Sequence, residues 1–346
     1  MSTFTELPMT AQTAYAQLMD SAVTREHLRS VADLSGSFAS KIVKGHRYWY
    51  FQYTEPSGKL RQAYVGPDND SVRALMAQKS QLGAPTLAPL VRSATALGCM
   101  EVLPRHLRVI QRLAEYGFFK AGGVLVGTHA FLAYGNMLGV RWGDTSRTQD
   151  VDFAHAGKRL SIALPGNFEI NTDAAIQSLE IGLLPFSSLT STTGASYLNP
   201  QEPDFRLDFL TTMHRGGEEP FIHPQLGVSL QPLKFMEFSL ENIQQAVLIS
   251  GQQAVVVSIP HPARYALHKL IVYGERQGSF AAKSAKDLMQ AAALLGRLKQ
   301  IRPWEVESAW ADLIKRGKGW TTRVSRSRDV LAKAFPDLAL LEWLTL

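Results

Sequence analysis

The chain has 346 residues, 45% of them hydrophobic and 19% charged, with a formal net charge of +6; that length favours two or three domains around a sizeable core, and the positive balance leans toward an anionic partner, nucleic acid or nucleotide. A single cysteine, Cys99, excludes an intrachain disulfide framework and fits a reducing compartment. Met1 to Met9 carries neither the basic stretch nor the apolar run of a signal peptide, and no apolar segment approaches membrane-spanning length, so a soluble cytoplasmic protein is expected.

Apolar spacing predicts a helix from about Thr10 to Arg29, then a small antiparallel meander over Gly36 to Gly66. The core of the meander is Arg47-Tyr48-Trp49-Tyr50-Phe51-Gln52-Tyr53, Glu55-Pro56-Ser57-Gly58 is its turn signal, and Lys59 to Val65 is the return strand. A helix over Asn69 to Leu82 ends at Gly83-Ala84-Pro85, a plausible boundary of an N-terminal module. The next helix runs over about Arg105 to Tyr116, and Ala121-Gly122-Gly123 leads into the strand Val124-Leu125-Val126. Gly127-Thr128-His129-Ala130 opens a helix that reaches about Leu138, with Thr128 as the candidate capping residue. A polar loop over Trp142 to Thr148 precedes a short strand, Leu160 to Leu164 is a further candidate strand, and the Ser-, Thr- and Pro-rich stretch Leu184 to Pro203 reads as a long loop. Two strand-like runs, Ala246 to Ile249 and Ala254 to Ile259, flank Gly251; Pro260 and Pro262 introduce a helix over Ala263 to about Arg276, and Ala281 to Leu346 reads as helical. These signals divide the chain into an α+β module with the meander over 1–95, an α/β core over 96–260 and a helical region over 261–346.

The short strand carries Asp150-Val151-Asp152-Phe153. Side chains alternate along a strand, so Asp150 and Asp152 project together while Val151 and Phe153 face the core. Two carboxylates side by side repel, and such pairs are kept mostly where a cation sits between them. In Phe205-Arg206-Leu207-Asp208-Phe209-Leu210 the same alternation puts Asp208 on one face with Arg206. Three carboxylates on neighbouring strands would make a hard-oxygen site suited to Mg²⁺ and a triphosphate. An Asp-x-Asp alone, or a Gly-Thr before a helix, is commonly structural; the ordered combination with a third Asp on an alternating strand is far more specific.

That order (apolar strand, Gly-Thr, helix, Asp-x-Asp, later lone Asp) resembles the DNA polymerase β-like nucleotidyltransferase superfamily, over roughly Leu103 to Thr212. The matching residues are Val126-Gly127-Thr128, Asp150-Val151-Asp152 and Asp208, with Thr128 where Ser is more usual. Arg147-Thr148-Gln149-Asp150-Val151-Asp152 is similar to the R-x-T-x-D-x-D line of many bacterial members, with the Arg and Thr adjacent here. The helical stretch Ala263 to Leu294 resembles that of abortive-infection-type toxin nucleotidyltransferases, whose helix lysine facing the triphosphate aligns with Lys269; Lys286-Asp287 also fits that stretch. The resemblance implies an α/β (α+β) polymerase β-type core with a mixed sheet, and Mg²⁺-dependent transfer of a nucleotide from an NTP to an acceptor hydroxyl. Asp150 and Asp152 would hold two Mg²⁺ ions, Asp208 would complete one of them or act as the base, Gly127 and Thr128 would meet the phosphates, and Arg147 and Lys269 would be secondary triphosphate contacts. A toxin or defence role with an antitoxin-type inhibitory partner fits the same resemblance.

For the acceptor, the basic balance and the meander favour RNA, a tRNA end among the candidates; a protein hydroxyl or a small molecule is the rival, and a catalytically silent nucleic-acid-binding protein the rival from another class. The meander interleaves Lys41, Lys44, His46, Arg47, Lys59 and Arg61 with Tyr48, Trp49, Tyr50, Tyr53 and Tyr64. Such a sheet suits unpaired RNA, with cations on phosphates and rings on bases; equally, the rings fill an inner face and the charges solubilise the outer one. The basic run Lys315-Arg316-Gly317-Lys318-Gly319-Trp320 with Arg323, Arg326 and Arg328 is a second candidate groove, against the alternative of a solvated helix end. His129, His155, His214, His223 and His261 show no metal-ligand spacing, and Cys99 reads as a buried small residue.

Overall fold

The structure is a computed structural model and describes residues 3–27, 36–54, 60–81, 87–143, 148–156, 171–186, 195–213, 217–275 and 281–346. Strand β1 (Phe4–Glu6) leads into helix α1 (Met9–His27), whose Ala11, Ala14, Tyr15, Leu18 and Ala22 are buried at helical spacing. Strands β2 (Ser37–Val43), β3 (His46–Thr54) and β4 (Leu60–Pro67) form an antiparallel three-stranded sheet, followed by α2 (Asp70–Gln81). Helix α3 (Ala88–Ala96) has no counterpart in the sequence reading; Pro89 sits in its first turn, where a proline costs no hydrogen bond. Helix α4 (Pro104–Glu115) begins on a proline too, and buries His106, Leu107, Val109, Ile110 and Leu113 while Arg105, Arg108 and Arg112 stay off the core.

The central sheet begins with β5 (Gly123–Leu125), and α5 (Gly127–Met137) and β6 (Val140–Trp142) follow; β6 pairs with β1, so Trp142 belongs to a strand rather than to the expected polar loop. Then come β7 (Val151–His155), α6 (Thr172–Gln177), β8 (Leu184–Phe186), β9 (Ser196–Asn199), β10 (Glu202–Thr212), β11 (Phe221–His223), β12 (Val228–Leu233) and α7 (Met236–Leu240). The seven-stranded sheet runs β11-β12-β10-β7-β5, with β9 antiparallel on the first half of β10 and β8 beyond β9. It is mixed: β10 is parallel to both β7 and β12, and β5 is antiparallel to β7. The expected long loop from Leu184 to Pro203 is thus corrected. Leu184–Phe186 and Ser196–Asn199 are strands, whose pairing supplies backbone hydrogen bonds that composition alone does not reveal. The candidate strand Leu160 to Leu164 lies outside the described residues.

A hairpin of β13 (Ile243–Ser250) and β14 (Gln253–Pro260) precedes helices α8 (Pro262–Glu275), α9 (Ala281–Ile301), α10 (Pro303–Ile314), α11 (Lys318–Ala334) and α12 (Leu340–Trp343). One continuous core extends from Val102 to Leu344 and joins the inner sheet face to the C-terminal helices. A second cluster packs α1 and α3 on Val247 and Ile249 of the hairpin, and the Tyr15 hydroxyl donates to the Val247 carbonyl at 2.9 Å. Packing therefore crosses residue 260, and α1 and α3 pack on the central body rather than with the meander. No helix among the described residues is long and apolar enough to cross a membrane.

Candidate active site

Alternation along β7 works as the residue types require. Val151 and Phe153 are fully buried, whereas Asp150, one residue before the strand, and Asp152 are half-buried on the opposite side. On β10, Phe205, Leu207 and Phe209 enter the core. The parallel register sets Asp208 directly beside Asp152 and Phe209 beside Phe153. The two phenylalanine rings stack at 5.2 Å, and Phe118 meets both edge-on. An aromatic cluster of this kind adds about 0.5–1.5 kcal/mol per pair beyond area burial, and here it fixes the strand pairing that brings two of the carboxylates together.

Gly127 closes the third side. Its φ is +61°, a left-handed conformation that favours glycine, and a Cβ built on it would lie 2.0 Å from Asp152 Oδ2. The Asp152 carboxylate thus rests against the start of α5, where the helix dipole favours negative charge. The capping position is Val126, and Thr128 lies inside the helix; the expectation that Thr128 caps it is corrected by the left-handed turn at Gly127. Thr128 is buried, with its Oγ1 3.5 Å from Gln290 Nε2. The Tyr265 hydroxyl lies 2.7 Å from the Gly127 carbonyl oxygen and 3.1 Å from Gln290 Oε1. Helices α8 and α9 therefore brace the Gly-Thr turn from behind, and what the turn offers a phosphate is backbone rather than the Thr128 hydroxyl.

Cations surround the carboxylates. Arg206 Nε donates to both Asp208 oxygens, at 2.9 and 3.0 Å, and Ser196 Oγ donates to Oδ1 at 2.5 Å. The hydrogen bond to Asp208 raises the Arg206 pKa against the effect of burial, and the fields of Asp208, Asp150 and Asp152 add to it. Lys286 is half-buried; burial and the neighbouring Lys269 lower its pKa, while Asp152, Asp287 and Asp150 oppose them. Lys269 Nζ is 2.6 Å from Asp287 Oδ1, with both side chains largely buried, and stands 5.2 Å from the Tyr265 ring. Lys286 thus lies in the field of the Asp pair with Lys269 as its neighbour, and Lys269 pairs with Asp287. Arg147 lies outside the described residues. Among the described residues no three His, Cys, Asp or Glu side chains already stand as a metal cluster, although the donor chemistry of three carboxylates is that of a hard divalent cation.

The sequence reading missed the parts played by Ser196, Tyr265 and Gln290. Helical spacing held a signal for two of them, since Tyr265 precedes Lys269 by four residues and Gln290 follows Lys286 by four. Beside the site, His106 Nδ1 and His129 Nε2 are 2.9 Å apart and fully buried. Burial pushes His106 down to about 4 and His129 to about 3, where the field of His106 adds to the effect. His155 and His223 form a second buried pair with rings 4.4 Å apart. In the basic run near the C-terminus, Arg316 pairs with Glu241 and Asp312, Arg323 with Glu275, and Arg328 donates to the Leu344 carbonyl, while Lys315, Lys318 and Arg326 are exposed. Cys99 is buried, and burial pushes its thiol up to about 11.

No curated protein sequence matches the chain. Among solved structures, an antigenic nucleotidyltransferase-like protein from Paracoccidioides brasiliensis is similar at 16% identity, over 65% of this chain and 95% of that one, with a TM-score of 0.31; a likeness this distant carries no argument about the site. A family model described as "Nucleotidyltransferase" matches residues 105–315, which include the Gly-Thr turn, all three aspartates and both lysines. With more than half of its length in that match, the chain belongs to the nucleotidyltransferase family.

Proposed function

We propose that the protein transfers a nucleoside monophosphate from an NTP to an acceptor hydroxyl on RNA in a magnesium-dependent reaction. The observation that carries this reading is the register of β7 and β10, which sets Asp208 beside Asp152 at the glycine turn of α5. Asp150, Asp152 and Asp208 are the residues that would hold magnesium. The bound ion supplies charge neutralisation for the phosphates and a lower pKa for the acceptor hydroxyl. Gly127 leaves room for the Asp152 carboxylate, and the backbone N–H groups of the turn would orient the outer phosphates. Lys286, in the field of the aspartates, and the neighbouring Lys269 would favour the charge that develops on the leaving pyrophosphate. Arg206 holds Asp208 in place before substrate arrives, and Asp208 would either complete the metal site or take the proton of the acceptor hydroxyl. A toxin or defence role is compatible with this chemistry.

The test is incubation with each α-labelled NTP, Mg²⁺ and total RNA or lysate, followed by fractionation. Label should enter RNA, and Asp150→Asn and Asp152→Asn should each abolish the transfer. Label in protein or in small molecules would move the acceptor elsewhere; no label and no pyrophosphate release with any NTP would remove the reading. One observation favours a second reading, a catalytically silent nucleic-acid-binding protein: Arg206 already supplies a positive charge among the carboxylates. That reading expects RNA retention unchanged by Asp150→Asn and no pyrophosphate at all.

A further inference from the structure

The three-stranded sheet β2-β3-β4 has two unlike faces. On one, Gly66 leaves space for Val72 of α2, to whose methyl a Cβ would come within 3.1 Å. Trp49, opposite Gly66 in the ladder, donates its Nε1 hydrogen to Asp68 at 3.1 Å, and Phe51 is buried. That face has its cover. On the other, the ladders align Ala39 with Tyr50 and Tyr64, and Lys41 with Tyr48. Tyr50 and Tyr64 meet edge-on at 5.6 Å, Tyr48 lies 6.3 Å from Tyr64, and Lys41 Nζ stands 4.7 Å over the Tyr50 ring. Tyr64 is 58% exposed and Lys41 is exposed. Among the described residues no element outside the module packs extensively on this sheet.

Charge points the same way. Residues 36–81 contain seven Lys and Arg against three Asp and Glu, so this stretch carries +4 of the chain's net +6. Of the acids, Asp68 is already taken by Arg73 and Trp49. A cleft at one end of the sheet is lined by Ile42, His46, Arg47, Tyr48, Pro67 and Asp68, with Arg47 in the field of Asp68.

We infer that the Tyr48-Tyr50-Tyr64 face with Lys41 is a platform for an unpaired RNA segment, whose bases stack on the tyrosines and whose phosphates meet Lys41 and Lys44. Rings and cations gathered on an open sheet face read base faces that a duplex hides. Electrostatics alone would serve any polyanion; the three rings select an unpaired strand. The choice of RNA over DNA rests on the proposed acceptor, whereas the platform itself does not depend on catalysis.

The experiment is fluorescence anisotropy with a labelled 12-nucleotide single-stranded RNA at 150 mM salt, on the full chain carrying Asp150→Asn so that no turnover intervenes. Tyr50→Leu and Tyr64→Leu keep apolar bulk and test the rings, Lys41→Gln tests the charge, and circular dichroism with thermal melting confirms that each variant folds. Each tyrosine replacement should weaken binding by roughly fivefold or more, a little over 1 kcal/mol of stacking, and Lys41→Gln should flatten the salt dependence. Duplex DNA bound as tightly as the single strand, affinity unmoved by both tyrosine variants when they are folded, or no binding at all would each overturn the platform. Because the Asp150→Asn background is inactive by design, failure here leaves the nucleotidyl-transfer reading standing, and failure of that reading leaves the platform standing.

Discussion

Two glycines with the same backbone angle but different surroundings isolate what Gly127 does. Gly127 and Gly251 both have φ of +61°, yet a Cβ on Gly127 would lie 2.0 Å from Asp152 Oδ2, while one on Gly251 would have nothing within 4 Å. Gly251→Ala therefore carries only the left-handed backbone penalty, about 1 kcal/mol. Gly127→Ala carries the same penalty and must also displace a carboxylate braced in the site, at a further 1–3 kcal/mol, roughly the cost of overpacking. Urea unfolding of both variants should show the difference, with Gly127→Ala the less stable by more than about 1 kcal/mol. Nucleotide transfer should separate them further: Gly251→Ala should match the parent, whereas Gly127→Ala should lose on the order of a hundredfold, because Asp152 is pushed from its position beside Asp208. Equal stabilities, or full transfer by Gly127→Ala, would refute the claim that the glycine exists to seat this carboxylate.

The remaining predictions concern charge. Arg206→Ala withdraws a positive group from among three carboxylates, so Mg²⁺ should raise the unfolding midpoint of the variant more than that of the parent; equal shifts would argue against a shared cation site. Lys269→Met should destabilise by about 3 kcal/mol, because it strands the largely buried Asp287, whereas Lys286→Met should leave stability nearly unchanged and raise the KM for NTP; calorimetric unfolding and initial rates distinguish the two lysines. For pH, His106, His129 and His223 have folded pKa values depressed to about 4, 3 and 4 by burial, against 6.5 in the unfolded chain. The unfolded state then binds more protons below pH 6.5. Stability is complete above that value and falls as pH drops toward 4, by up to about 1.4 kcal/mol per pH unit for each histidine. Urea titrations at pH 7 and pH 5 should show the loss, and a flat profile would contradict neutral burial.

Much of the architecture was legible because the deciding signals are local. Alternation identified Val151, Phe153, Phe205, Leu207 and Phe209 as core residues and put Asp150, Asp152 and Asp208 on the opposite side of the sheet, where Asp208 too is buried. Helical periodicity located α1, α4 and α8 to within a few residues. What escaped depends on partners distant in sequence. Leu184–Phe186 becomes a strand only because β9 lies alongside, and Thr128 turns inward only because Gln290, 162 residues later, meets it. The basic run over 315–328 reads as a uniform cluster in one dimension; in three, Glu241 and Asp312 pair with Arg316 and Glu275 with Arg323. The three acids were found on a pattern, but their environment, with Arg206 and Ser196 on Asp208 and Lys286 near Asp152, belongs to tertiary structure.

The pairing of β7 with β10 ties the chemistry to the hydrophobic core. A slide of β10 by one residue would turn Phe205, Leu207 and Phe209 toward the solvent side and drive Arg206 and Asp208 into the interior. A one-residue slip therefore cannot survive as a folded but impaired molecule, since the error that would separate the acids also expels the aromatic interior. Against that slip the seam is guarded by its apolar side chains rather than by its charges.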